Sequence, residues 1–159
     1  MRRSLALMLL WLPLAAPAFS DDRTEIVGSW KVQSFHVEFQ DNGERRNQLG
    51  ENPNGFIVFL PQGRMMAYLE ASGRKTPRTD EERAAAYRSL VAYSGKYRIE
   101  GNRWITKVDA SWNPAWIGTD QERFFKLDAD TLHVTAQWNP SPLYENRMVR
   151  AHVLLEREK

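Results

Sequence analysis

From residue 28 onward the chain is a succession of short runs in which apolar and polar side chains alternate, the pattern of strands with one face buried. In Gly28-Ser29-Trp30-Lys31-Val32, Trp30 and Val32 share a face, whereas Phe35, Val37 and Phe39 alternate in the opposite phase. The change at Ser34 predicts a bulge or sharp bend in the first strand. Asp41-Asn42-Gly43 follows as a hairpin turn, and Arg45 to Leu49 is a weak, polar segment. Phe56 to Leu60 then forms a nearly continuous apolar strand, Pro61-Gln62-Gly63 a tight turn, and Met65 to Ala71 the return strand.

The next stretch departs from alternation. Gly73 to Pro77 is a basic loop, Thr79-Asp80-Glu81-Glu82 fits a capping box, and Ala84, Tyr87, Leu90 and Val91 recur at helical spacing. One short amphipathic helix is predicted over 80–92, plugging an open end of a β structure. Strands resume over 95–99, 104–112, 122–127, 132–138 and 148–156, with turns at 100–102 and 128–130. Trp104, Thr106, Val108, Ala110 and Trp112 fall on one face of their strand, and Val149, Ala151, Val153 and Leu155 on one face of the last.

Short strands at this spacing predict an all-β fold, an up-and-down antiparallel β-barrel of 8–10 strands with one helix inserted mid-chain. Links at 41–43, 61–63, 100–102 and 128–130 are tight; those at 50–55, 72–92, 112–118 and 139–146 are long. Alternate links of a meander fall on the same end. One end is therefore sewn by hairpins, and the other is a mouth carrying both Trp-Asn-Pro segments, Trp112-Asn113-Pro114 and Trp138-Asn139-Pro140. Nine runs can be counted, but antiparallel closure needs an even number. Either Arg45–Leu49 is not a full strand or one run is split.

Residues 1–20 read differently. Arg2 and Arg3 precede an apolar stretch from Leu5 to Leu14, and small residues at Ala16, Ala18 and Ser20 fit signal cleavage. The stretch is short of the roughly 20 residues a spanning helix needs. A secretory signal of bacterial type is expected, leaving residues 21–159 as one domain in the periplasm or outside the cell with no stable membrane anchor. Its removal takes Lys plus Arg from 22 to 20, equal to the 20 Asp plus Glu. The basic balance thus belongs to the signal, which argues against a nucleic-acid partner. The chain has no cysteine, so in an oxidising compartment stability must come from an aromatic core rather than disulfides.

Gly28-Ser29-Trp30 matches the Gly-x-Trp opening of lipocalins and related calycin barrels. With Gly50-Glu-Asn-Pro-Asn-Gly-Phe-Ile-Val-Phe, Pro61-Gln-Gly-Arg-Met-Met, Thr79-Asp-Glu-Glu-Arg, Val91-Ala-Tyr-Ser-Gly-Lys-Tyr and Ser111-Trp-Asn-Pro-Ala-Trp-Ile-Gly-Thr, the chain resembles the bacterial lipocalin-like domain family. The resemblance spans essentially all of 21–159 and implies a small β-barrel, much of the family having no established activity. It also implies that Trp30 packs across the closed end against a basic residue of the last strand, Arg157 or Arg150, with cation–π stacking there. Gly28, Trp30 and Arg157 are accordingly expected to be structural.

Candidate chemistry is sparse. His36, His133 and His152 all read as outward-facing and none is spaced as a metal ligand. There is no Gly-x-Ser-x-Gly elbow. No cofactor and no metal are expected. Arg123 shares parity with Gln121, Phe125 and Leu127; if inward, it needs either an internal carboxylate or polar network, or an acidic ligand headgroup. Trp112, Trp116 and Trp138 flank the mouth, and with Tyr68, Tyr97 and the Met65-Met66 pair suggest an apolar pocket. Asp109 and Glu122 read as solvated cross-strand partners. The function expected is binding of a small hydrophobic or amphipathic ligand in the barrel interior. The alternatives are a cofactor-independent cyclase or isomerase using the same cavity, or a filled structural barrel.

Overall fold

The computed structural model describes residues 25–159, so the expected signal over 1–20 lies outside the described residues. The strands are β1 (Gly28–Phe39), β2 (Arg45–Arg46), β3 (Asn54–Leu60), β4 (Arg64–Glu70), β5 (Leu90–Glu100), β6 (Arg103–Ser111), β7 (Asp120–Asp128), β8 (Thr131–Ala136), β9 (Asn139–Ser141) and β10 (Arg147–Arg157). One helix, α1 (Asp80–Arg88), lies between β4 and β5. All pairings are antiparallel, in the order β1-β3-β4-β5-β6-β7-β8-β10, and β10 pairs back onto β1. Eight strands therefore close a barrel. The odd count resolves because β2 touches only β1 and β9 only β10, two fragments outside the ring.

The phase change in β1 is a bulge. Val32 pairs with Leu155 and Ser34 with Leu154, leaving Gln33 as the extra residue. Trp30 and Val32 before it, and Phe35, Val37 and Phe39 after it, all reach the interior. Only residues 28–31 of β1 pair with β3, while β10 follows the strand along its length.

Long and tight links separate by end. The β3–β4, β5–β6 and β7–β8 hairpins close one pole; segments 40–53, 71–89, 112–119 and 137–146 gather at the other. The turn at 41–43 was expected among the closing hairpins and belongs instead to the mouth. Two residues of β2 extend only about 7 Å, too little to cross a barrel. Arg147, at the start of β10, holds Asp41 there at 2.7 Å.

Two expected boundaries also move. The helix stops at Arg88, and Leu90 and Val91 open β5, where they pair with Glu70 and Leu69 of β4. The capping box at Thr79 and Glu82 is formed on both sides, but no residue of α1 is buried, so the helix lies across the rim and does not plug it. In β6, Ser94 pairs with Ala110 and Gly95 with Val108, which makes Asp109 a bulge. Ala110 is therefore exposed and not on the buried face of Trp104, Thr106 and Val108.

The hairpin pole is packed solid. Trp30 is fully buried, donates from Nε1 to the Ile26 carbonyl at 2.8 Å, and carries the Arg157 guanidinium 4.1 Å above its ring. Phe59 meets Tyr97 and Trp104 edge-on at 5.1 Å each. No described helix is long and apolar enough to cross a membrane.

Candidate ligand cavity

Above that aromatic layer the barrel is hollow. A cavity of about 600 Å³ opens at the pole that carries the long links, within the size range of small-molecule sites. Its apolar walls come from the inward faces of several strands, among them Phe35, Ile57, Leu69, Val134 and Val153. Trp104 also lines it, whereas Phe59 and Phe125, against which Trp104 packs, do not. Trp104 is thus the floor between the void and the closed end.

The mouth is built by the two proline segments together. In the first, Asn113 caps a single 3-10 turn by accepting the Ala115 N–H at 3.1 Å, and Pro114 occupies its first position, where no N–H is needed. The turn projects Trp116 back over the opening. Trp116 meets Trp112 edge-on at 4.8 Å and Tyr93 at 5.4 Å, and Tyr87 of α1 lies 6.4 Å from Trp112. Asn139, Pro140 and Pro142 of the second segment line the same cavity.

Arg123 faces inward from β7 and is half-buried. It donates to the Glu122 carbonyl at 2.8 Å and lies 3.4 Å from Gln121 Oε1, with its guanidinium 5.5 Å from the Trp116 ring and 5.8 Å from Tyr93. Among the described residues no carboxylate is within ion-pair reach of it. The nearby acids are already engaged: Glu122 with Arg103, and Asp120 with Arg98 and Lys107. A smaller polar recess on the outside shares Gln121, Arg123, Gln137 and Asn139 with the main cavity, so Arg123 stands where the two meet. Among the described residues, the charged ones lining the cavity are Arg88, Arg123 and Arg150, with no Asp or Glu.

Of the six residues expected at the site, Trp112, Trp116 and Arg123 line the cavity and three do not. Tyr68 is on the outer face of β4, 45% exposed, and donates to Glu70 at 2.9 Å. Tyr97 faces inward but below the floor, where its hydroxyl donates to the Leu60 carbonyl and burial pushes its ionisation up. Trp138 lies beyond the end of β8 and stacks on Arg150 at 4.4 Å. Arg150 in turn donates to Glu38 at 2.9 Å, and His152 Nε2 is 2.6 Å from the same carboxylate. The Arg150 hydrogen bond, joined by that from His152, holds Glu38 below the usual carboxylate range. Trp138 is thereby tied to a polar cluster on the β1–β10 seam. Tyr93 and Trp104 are lining residues not singled out from sequence, although the inward parity of Trp104 was readable; Tyr93 fell between the expected helix and strand.

The described residues contain no group of three His, Cys, Asp or Glu placed to hold a metal. The family model described as a lipocalin-like domain matches residues 27–158. The chain is 38% identical over 65 residues to the 4'-hydroxy-3'-methoxypropiophenone carrier protein of Aspergillus oryzae, an alignment covering 36% of this chain and 59% of that protein. It thus spans less than two thirds of that relative. A crystal structure of an uncharacterized protein from Bacteroides eggerthii aligns at 12% identity with a TM-score of 0.40, over 84% of this chain and 99% of the other.

Proposed function

The chain belongs to the lipocalin-like domain family, and on that premise we propose that it is an exported binding protein for a small, largely apolar ligand held in the open half of the barrel. Trp112 and Trp116 pack on the ligand at the mouth, and Arg123 meets its polar end. One observation carries this: the barrel interior contains an apolar-walled void of about 600 Å³ opening at the loop pole. The relative that is named a carrier protein agrees with a binding role, and the features of residues 1–20 support export. A cyclase or isomerase is disfavoured because, among the described residues, no carboxylate, histidine or cysteine lines the cavity, leaving no general base of ordinary basicity there.

Three of the five tryptophans outside residues 1–20 line the cavity, namely Trp104, Trp112 and Trp116. Intrinsic fluorescence therefore reports on occupancy. Titration with fatty acids, retinoids or isoprenoid lipids should give a saturable quench or shift with at least one of them. A flat response to all three classes would contradict the proposal.

A further inference from the structure

A buried polar atom with no partner marks a place where the fold leaves an interaction unmade. The Trp104 side chain is fully buried, lines the cavity, and its Nε1 has no hydrogen-bond partner among the described residues. In the β6–β7 register Trp104 sits directly opposite Arg123, so the two side chains are neighbours on the inner face. Arg123 already donates to the Glu122 carbonyl and lies near Gln121 Oε1, yet it faces the cavity as a half-buried cation that no carboxylate among the described residues pairs with. Both groups only donate. What they lack in common is an acceptor, and the acceptor that also supplies the missing charge is an anionic oxygen.

We propose that Arg123 and the Trp104 indole N–H form a two-donor seat for one carboxylate, so that the ligand is a monocarboxylic acid whose apolar body fills the rest of the cavity. This rests on the binding role proposed above. The ligand is singly charged because Arg88 is exposed at the rim and Arg150 is committed to Glu38, leaving one cation for the head.

The test uses N-phenyl-1-naphthylamine, an uncharged probe whose fluorescence rises in apolar sites, displaced by decanoate or by 1-decanol. Wild-type protein should bind the probe and release it to decanoate at about tenfold lower concentration than to decanol, as for one charge-assisted contact. In Arg123→Met that preference should disappear, decanoate and decanol releasing the probe at equal concentrations. Independently of any variant, the Trp104 indole proton should move downfield in NMR spectra of wild-type protein on adding decanoate, and not on adding decanol. Equal displacement by the two competitors, or an unmoved Trp104 indole, overturns the seat while the cavity stands. Failure of the wild type to bind the probe overturns both.

Discussion

The Arg157 guanidinium lies 4.1 Å above the Trp30 ring and reaches past it to the carbonyls of Val27 and Glu25, at 2.9 and 2.6 Å. One planar cation thus ties the last strand to the first and to the segment preceding it. Removing it takes away a buried stack and two charged hydrogen bonds. Arg157→Ala should cost about 2–3 kcal/mol by those contributions, read as a lowered midpoint in urea. Arg157→Lys should recover only part, since an ammonium neither stacks flat nor reaches both carbonyls. Gly28→Ala should destabilise as well: its φ is +136°, and an added Cβ would sit 3.0 Å from Arg157 Nη1. Ligand binding, at the opposite pole, should survive all three changes.

Trp116→Ala removes the ring that roofs the mouth against Trp112 and Tyr93. Affinity for an apolar probe should fall about tenfold, as expected for loss of most of a buried aromatic contact. Tyr68→Phe should leave affinity unchanged, because Tyr68 points away from the cavity. A titration comparing the two variants checks the mouth directly; equal losses would contradict the placement.

The seam between β1 and β10 should make stability pH-dependent. His36 stacks on His152 at 5.0 Å and has a buried Nε2 without a hydrogen-bond partner among the described residues. Burial first, then His152 and Arg45, push its ionisation below the ordinary 6.5, with Glu38 opposing. A depressed histidine favours the fold in its neutral form, so its contribution is present above about pH 6.5 and is lost as pH falls below that. Glu38, also depressed, contributes above about pH 4.5 and loses that contribution on further acidification. Thermal midpoints measured from pH 8 to 5 should decline below about 6.5, and His36→Phe, which keeps the stack, should flatten that decline. An identical decline in the variant would contradict this.

Gly95→Ala tests the bulge in β6. A Cβ at Gly95 would lie 2.0 Å from the Lys107 carbonyl oxygen, beside the irregular pairing at Asp109. That contact cannot be relieved by turning a side chain. The variant should lose at least about 2 kcal/mol or fail to fold, in the manner of an overpacked core. A urea midpoint like that of wild type would contradict the close approach.

Most of the barrel was legible because side-chain parity is local. The alternation of Met65, Ala67 and Leu69 puts Tyr68 on the outer face, so parity and not aromatic character decides its side. Parity says nothing of height along the barrel axis, so Tyr97 faced inward as its pattern allowed yet stands beneath the floor. The Asp109 bulge was hidden because it depends on partners distant in sequence, Arg64 at 2.6 Å and Ser94 at 3.1 Å. Trp138 left its strand early for a similar reason, drawn to Arg150 on the neighbouring strand. Arg123 was readable as inward; that no carboxylate among the described residues awaits it required the fold.

An occupied interior is tested most directly by filling it. Ala136, opposite Arg123 in the β7–β8 pairing, lines the cavity with a side chain that leaves room to grow. Binding of N-phenyl-1-naphthylamine should be saturable at one site per wild-type molecule and should be lost in Ala136→Trp while the far-ultraviolet circular dichroism and thermal midpoint persist. Undiminished binding by the filled variant, or none by the wild type, would contradict a ligand held inside the barrel.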